Sequence, residues 1–280
     1  MIRLKKTKAV LAAAMLFSAT TGLVGCSSED EVRGPIADYL KNNYGIQDFT
    51  ILSDEYNWFE TGDHQTHLLI QKPYPAYVYL VLGRDKDRRI QGDDVYAELF
   101  TSAFAEQHPR VFAKSEELVK KYKLFEKSPF SKSTPNVIQG DPYYFVDTKL
   151  KEAQETQLVE QFKKTHEIKT DALLPTLEQG DPVQGVVDFT YYFNTYHYTG
   201  EVPKADSLVQ DFAESRVLPE GTFSVNIKSA AINENGGSSI GIDQNYSSVL
   251  FRVNGQGDVQ VLKTVHGEDE YLKASSSKVK

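Results

Sequence analysis

Gln-Gly-Asp-Pro occurs at 139–142 and again at 179–182, and Gln91-Gly92-Asp93 echoes it. Carboxylates on tight loops are the hard oxygen ligands that calcium takes, so Asp141 and Asp181 are the first residues with chemistry to offer. The alternating acids of a full calcium loop are missing, however, and Gly, Asp and Pro build turns and helix starts unaided. The turn reading is the stronger. His64 and His67 stand three apart in a strand-like stretch, where period-two geometry sends them to opposite faces and spoils joint metal ligation. His108, His166, His197 and His266 show no helical pair spacing. No metal and no cofactor are assigned.

The run Phe189-Thr190-Tyr191-Tyr192-Phe193-Asn194-Thr195-Tyr196-His197-Tyr198 places aromatics on both faces of a strand. A tyrosine row can stack on sugars or grip a protein. A strand covered on both sides looks the same, and the core reading is preferred. Trp58, with Tyr56 and Phe59, is a weaker binding-loop candidate. Nucleophilic catalysis is not expected. No Gly-x-Ser-x-Gly nucleophile elbow is read in the chain, and no phosphate-cradling glycine pattern is expected. No pair of acids is singled out by its spacing for glycoside-type hydrolysis. Catalytic residues are therefore assigned to none.

The elements that position these residues alternate between helical and strand periods. Gly34-Pro35 opens a helix with Ile36, Ala37, Leu40 and Tyr44 on one face and Gly45 as its stop. Strand-like runs follow at 49–52, 67–71 and 77–82, then helical patterns at 94–107 and 110–125, parted by Pro109. A third helical pattern covers 147–166, with Leu150, Ala153, Leu158 and Phe162 inward. A strand at 186–198, a helix at 205–215 and strands at 222–232, 248–253 and 259–265 complete the chain. Asn235-Gly236-Gly237 and Asn254-Gly255 supply turns between the last three. The expected class is α+β, antiparallel sheets packed by helices, with two αβββ-like units flanking a helical middle. The expected divisions are a cleaved signal 1–25, a tether 26–33, an N-terminal α+β region 34–126, a linker 127–142 and a C-terminal α+β region 143–280.

The N-terminus states an address. Arg3, Lys5, Lys6 and Lys8 precede the apolar run Ala9 to Phe17, the layout of a secretory signal and too short for a spanning helix of about 20 residues. Leu23-Val24-Gly25-Cys26 then resembles the lipobox of bacterial lipoproteins. That resemblance covers residues 1 to 27 and implies cleavage before Cys26, diacylglycerol on its sulfur and frequent N-acylation. Cys26 is the sole cysteine, so it has no disulfide partner within the chain and, taken by lipid, is no expected nucleophile. Two acyl chains hold a protein durably on a bilayer where one does not. The Lys-rich, otherwise cysteine-free remainder resembles uncharacterised exported lipoproteins of Gram-positive bacteria.

Without residues 1–25 the chain keeps 27 basic and 39 acidic residues, a net charge of −12. Such a surface repels nucleic-acid phosphates and anionic headgroups, so nucleic acid is not an expected partner. The expected protein is a lipid-anchored, extracytoplasmic surface lipoprotein at the cell membrane with a non-catalytic binding role. Its partner would be a surface protein or an envelope component. The alternatives are a solute-binding lipoprotein of a transport system, which would show alternating βα units in two lobes, and a surface hydrolase.

Overall fold

The computed structural model describes residues 29–57, 62–125, 144–196, 200–232, 238–267 and 270. Helix α1 (Glu29–Tyr44) places Val32, Ile36, Leu40 and Tyr44 at four-residue spacing, and all four are buried. It begins earlier than Gly34-Pro35 indicates. Pro35 lies inside the helix, and the presumed tether gives up Val32 to the core. Gly45, at φ 71°, ends α1 in the left-handed region, and its N–H donates to the Lys41 carbonyl at 3.0 Å.

Four strands follow as a meander in the order β1-β2-β3-β4: β1 (Phe49–Asn57), β2 (Asp63–Ile70), β3 (Ala76–Leu82) and β4 (Ile90–Asp93). Every neighbouring pair is antiparallel. β2 and β3 alternate buried and half-buried residues, the signature of a sheet with one face in the core. Helices α2 (Val95–Gln107) and α3 (Pro109–Lys121) come next, split at His108-Pro109 as the proline demands. α2 buries Val95, Leu99, Ala103 and Phe104, the expected register, and packs on β3.

The second sheet has the order β5-β6-β7-β8-β9: β5 (Tyr144–Thr148), β6 (Val187–Asn194), β7 (Gly221–Ile232), β8 (Ser238–Val253) and β9 (Val259–His266). Its pairs are antiparallel except β6 with β7, which run parallel. A parallel pair needs a crossover, and helix α6 (Ala205–Ser215) supplies it. Between β5 and β6 lie helix α4 (Glu152–Thr165), the short α5 (Thr170–Leu173) and a 3-10 turn at Leu174–Thr176.

The fold is α+β. A helix followed by an antiparallel meander occurs twice, as α1 with β1 to β3 and as α6 with β7 to β9. Phe104 of α2 meets the rings of Phe189 on β6 and Phe223 on β7, and Phe212 of α6 meets Phe189 at 5.5 Å. One cluster of buried apolar side chains draws on both sheets, from Val32 through Leu80, Phe104 and Phe189 to Val253.

The start of α4 and the presence of β4 also depart from the sequence expectation. The helix expected over 147–166 begins only at Glu152, and Thr148 belongs to β5, opposite Val187. Leu150 is bridged to Gln179 outside the helix, and Ala153 is exposed. β4 was not anticipated because Gln91-Gly92-Asp93 has no strand preference; its pairing to Leu80 and Val81 makes it a strand.

Candidate functional site

Asp181 closes a turn. Its Oδ1 accepts the N–H groups of Val183 at 2.8 Å and Gln184 at 3.1 Å, the work of an aspartate turn. Asp141 lies outside the described residues, as do Cys26, Trp58, Phe59, His197, Tyr198, the segment 127–142 and Asn235-Gly236-Gly237. His64 and His67 fall on opposite faces of β2. His64 is fully buried with Nδ1 2.9 Å from Asp54 Oδ2, whereas His67 is half-buried beside the Tyr79 ring. His108 Nε2 lies 2.9 Å from Thr170 Oγ1.

The aromatic run belongs to the core where it is described. Phe189, Tyr191 and Phe193 are buried, and Ser115 of α3 shares a 2.8 Å hydrogen bond with the Tyr191 hydroxyl. Tyr196, past the strand's end, is 63% exposed.

Gly237-Ser238-Ser239-Ile240-Gly241 does fit the Gly-x-Ser-x-Gly spelling of a hydrolase nucleophile elbow. The backbone overturns it: β8 runs from Ser238 with Ser239 paired to Ala231, so there is no strand-to-helix turn to present the serine.

Asp188 is the most deeply buried carboxylate that the sequence did not flag. It lies on the face of β6 opposite Phe189 and Tyr191, because successive side chains alternate. Ser224 and the Asn226 amide (2.6 Å) donate to its Oδ1, and Thr190 donates to Oδ2 at 3.1 Å. Burial pushes Asp188 up to about 6; the hydroxyls of Ser224 and Thr190 and the Asn226 amide oppose the rise, while Asp147 adds to it. The parallel strands β6 and β7 are thereby cross-linked through side chains as well as backbone.

Asp147 also faces Glu98 of α2, joining this network to a band of acids. Burial is the main reason that Glu98 rises to about 8, with Asp94 and Asp147 adding repulsion and Lys149 opposing it. Asp94 rises to about 6, chiefly from burial, although its Oδ1 accepts the Tyr79 N–H at 2.8 Å. Asp93 instead gathers donors: Tyr39 at 2.5 Å, Tyr44 at 2.7 Å and the Val95 N–H at 3.1 Å. Burial and the Asp93 charge hold both phenols well above their ordinary range. Glu155 of α4 is raised by burial and then by Asp93 and Glu152. Of these carboxyls, Glu98 is the one raised above neutral pH. Among the described residues, no three of His, Cys, Asp and Glu converge as a metal site would require.

Two of the exposed large apolar residues, Leu52 and Leu262, have a local cause. Leu52 and Leu262 are the unpaired residues of two bulges, one on β1 and one on β9, each the edge strand of its sheet. A bulge bends an edge strand away from further pairing.

The sequence carried one faint signal for this site. In Val-Asp-Phe-Thr-Tyr-Tyr-Phe-Asn at 187–194, polar residues alternate with aromatics. Glu98 had none, because an acid between helix core positions reads as solvated.

No protein-family model and no curated protein matches the chain. Among solved structures, a DUF5037 family protein from Ruminococcus gnavus ATCC 29149 is similar at 13% identity and a TM-score of 0.33. The match covers 89% of this chain and 100% of that one.

Proposed function

We propose that this protein is a lipid-anchored lipoprotein on the extracytoplasmic face of the cell membrane. In this reading its α+β part binds a surface protein or an envelope component without catalysing a reaction. The observation that carries the reading is Leu23-Val24-Gly25-Cys26 behind a cationic, apolar leader, with Cys26 the sole thiol of the chain. A diacylglyceryl cysteine buries two chains at about 0.8 kcal/mol per methylene, enough for durable attachment.

Three features support a binding role. The carboxylates of Asp188 and Asp93 are engaged by hydroxyl and amide donors of the fold. The acidic surface favours a cationic or neutral partner over nucleic acid. Tyr196 presents an exposed aromatic ring at the end of β6, the residue type enriched in protein contacts.

Detergent phase partition combined with crosslinking on intact cells tests the reading. The wild-type chain enters the detergent phase and yields a discrete crosslinked partner, Cys26→Ala stays out of that phase, and Tyr196→Ala weakens the crosslink. A wild-type chain found wholly in the aqueous phase contradicts the anchoring. A Tyr196→Ala chain that crosslinks undiminished moves the contact elsewhere.

A further inference from the structure

A cavity of about 140 Å³ opens between α4, α5 and α2, with Tyr96, Leu158 and Phe162 among its lining and Leu173 on its wall. Tyr96 and Phe162 are 1% exposed and Leu158 is 9% exposed, so the lining is part of the packed interior. Their rings meet edge-on at 6.0 Å and present hydrocarbon to the space. An ion pair, Lys169 Nζ to Glu167 Oε2 at 3.3 Å, stands among the exposed lining residues. The Tyr96 hydroxyl, on a residue 1% exposed, makes no hydrogen bond among the described residues. A phenol with no protein acceptor at a cavity wall has its hydrogen to give to a molecule held there.

We propose that this cavity binds a small, neutral, ring-sized molecule whose one oxygen accepts a hydrogen bond from Tyr96. The volume sets the size. At interior packing density it takes about six or seven non-hydrogen atoms, close to the ~150 Å³ engineered cavities that bind benzene. The surrounding charge sets the class. Burial first, and then the neighbouring acid Glu155, hold the Tyr96 phenol above its ordinary range, so it stays a donor and a neutral acceptor suits it better than an anion. A neutral carbonyl, ether or alcohol oxygen fits. The proposal goes beyond the anchoring and partner reading and stands whether or not Cys26 is lipidated.

The test is methyl NMR of the full chain, Leu- and Val-labelled, titrated separately with cyclohexanone and with benzene. Saturable shifts at Leu158 and Leu173 are expected with cyclohexanone in the millimolar range. Tyr96→Phe should weaken cyclohexanone by about five-fold, the worth of one hydrogen bond, and change benzene by less than about two-fold. Ala172 is exposed beside the cavity, so Ala172→Trp should fill the space and remove both sets of shifts without disturbing the core. The proposal is overturned if wild type shows no saturable shift, as when the cavity holds water only. Shifts that persist in Ala172→Trp, or equal loss of both probes in Tyr96→Phe, overturn it as well.

Discussion

Tyr44, the last residue of α1, donates its hydroxyl to Asp93, the last residue of β4, at 2.7 Å. The same carboxylate takes the Tyr39 hydroxyl and the first N–H of α2, so one side chain ties α1 to the distant junction of β4 and α2. Asp93→Ala leaves the buried Tyr44 hydroxyl without its partner. It should lower stability by about 2–4 kcal/mol, read as a shift in the urea midpoint. Tyr44→Phe removes one bond and leaves the acceptor served by Tyr39, so about 1 kcal/mol is expected. Equal midpoints for wild type and Asp93→Ala would show that the clasp contributes nothing.

The raised carboxyls set a pH dependence. Glu98 near 8 and Asp94 and Asp188 near 6 all lie above their unfolded values of about 4, so the native state holds more protons than the unfolded state between pH 5 and 8. Their effect is therefore to make stability fall as pH rises through that window. The urea midpoint should be higher at pH 5 than at pH 8. Glu98→Gln should raise the midpoint at pH 8 and leave it nearly unchanged at pH 5. A flat profile insensitive to Glu98→Gln would contradict the protonated assignment.

Asp188 separates charge from hydrogen bonding. Asp188→Ala strands the donors of Ser224, Asn226 and Thr190 inside the sheet and should cost about 3 kcal/mol or more. Asp188→Asn keeps an acceptor and removes a buried charge, so at pH 8 it should be close to wild type in thermal midpoint. If both variants lose stability alike at pH 8, the carboxylate charge itself is needed there.

Gly45 is a conformational requirement with a neighbour. Its φ is 71°, and a Cβ added there would stand 2.5 Å from His166 Nε2, at the left-handed cap of α4. Gly45→Ala should cost about 1–2 kcal/mol from the backbone alone, and more if His166 cannot swing aside. The double variant with His166→Ala separates the two contributions in a thermodynamic cycle.

Long, strongly periodic segments were legible in the sequence. α6 occupies 205–215 as its Ala205, Leu208, Val209 and Phe212 spacing indicated, and α2 buries the residues its pattern named. β4 and β5 were not legible, because short polar or mixed strands are made by their partners and not by their own preferences. β8 extends to Ser238 although its first half, Ser238 to Ser247, is mostly polar, since it pairs with a β7 that is itself long. The carboxylate network was illegible for a related reason. Asp188, Glu98 and Asp147 lie far apart in the chain and meet only once β5 is laid against β6.

Intact-mass analysis of the chain extracted from membranes, with Cys26→Ala alongside, tests the lipid anchor most directly. The wild-type mass should equal residues 26–280 plus a diacylglyceryl group, with or without an added N-acyl chain, and Cys26→Ala should remain unprocessed. An unlipidated wild-type chain, cut at another position, would contradict the anchor and the surface role that rests on it.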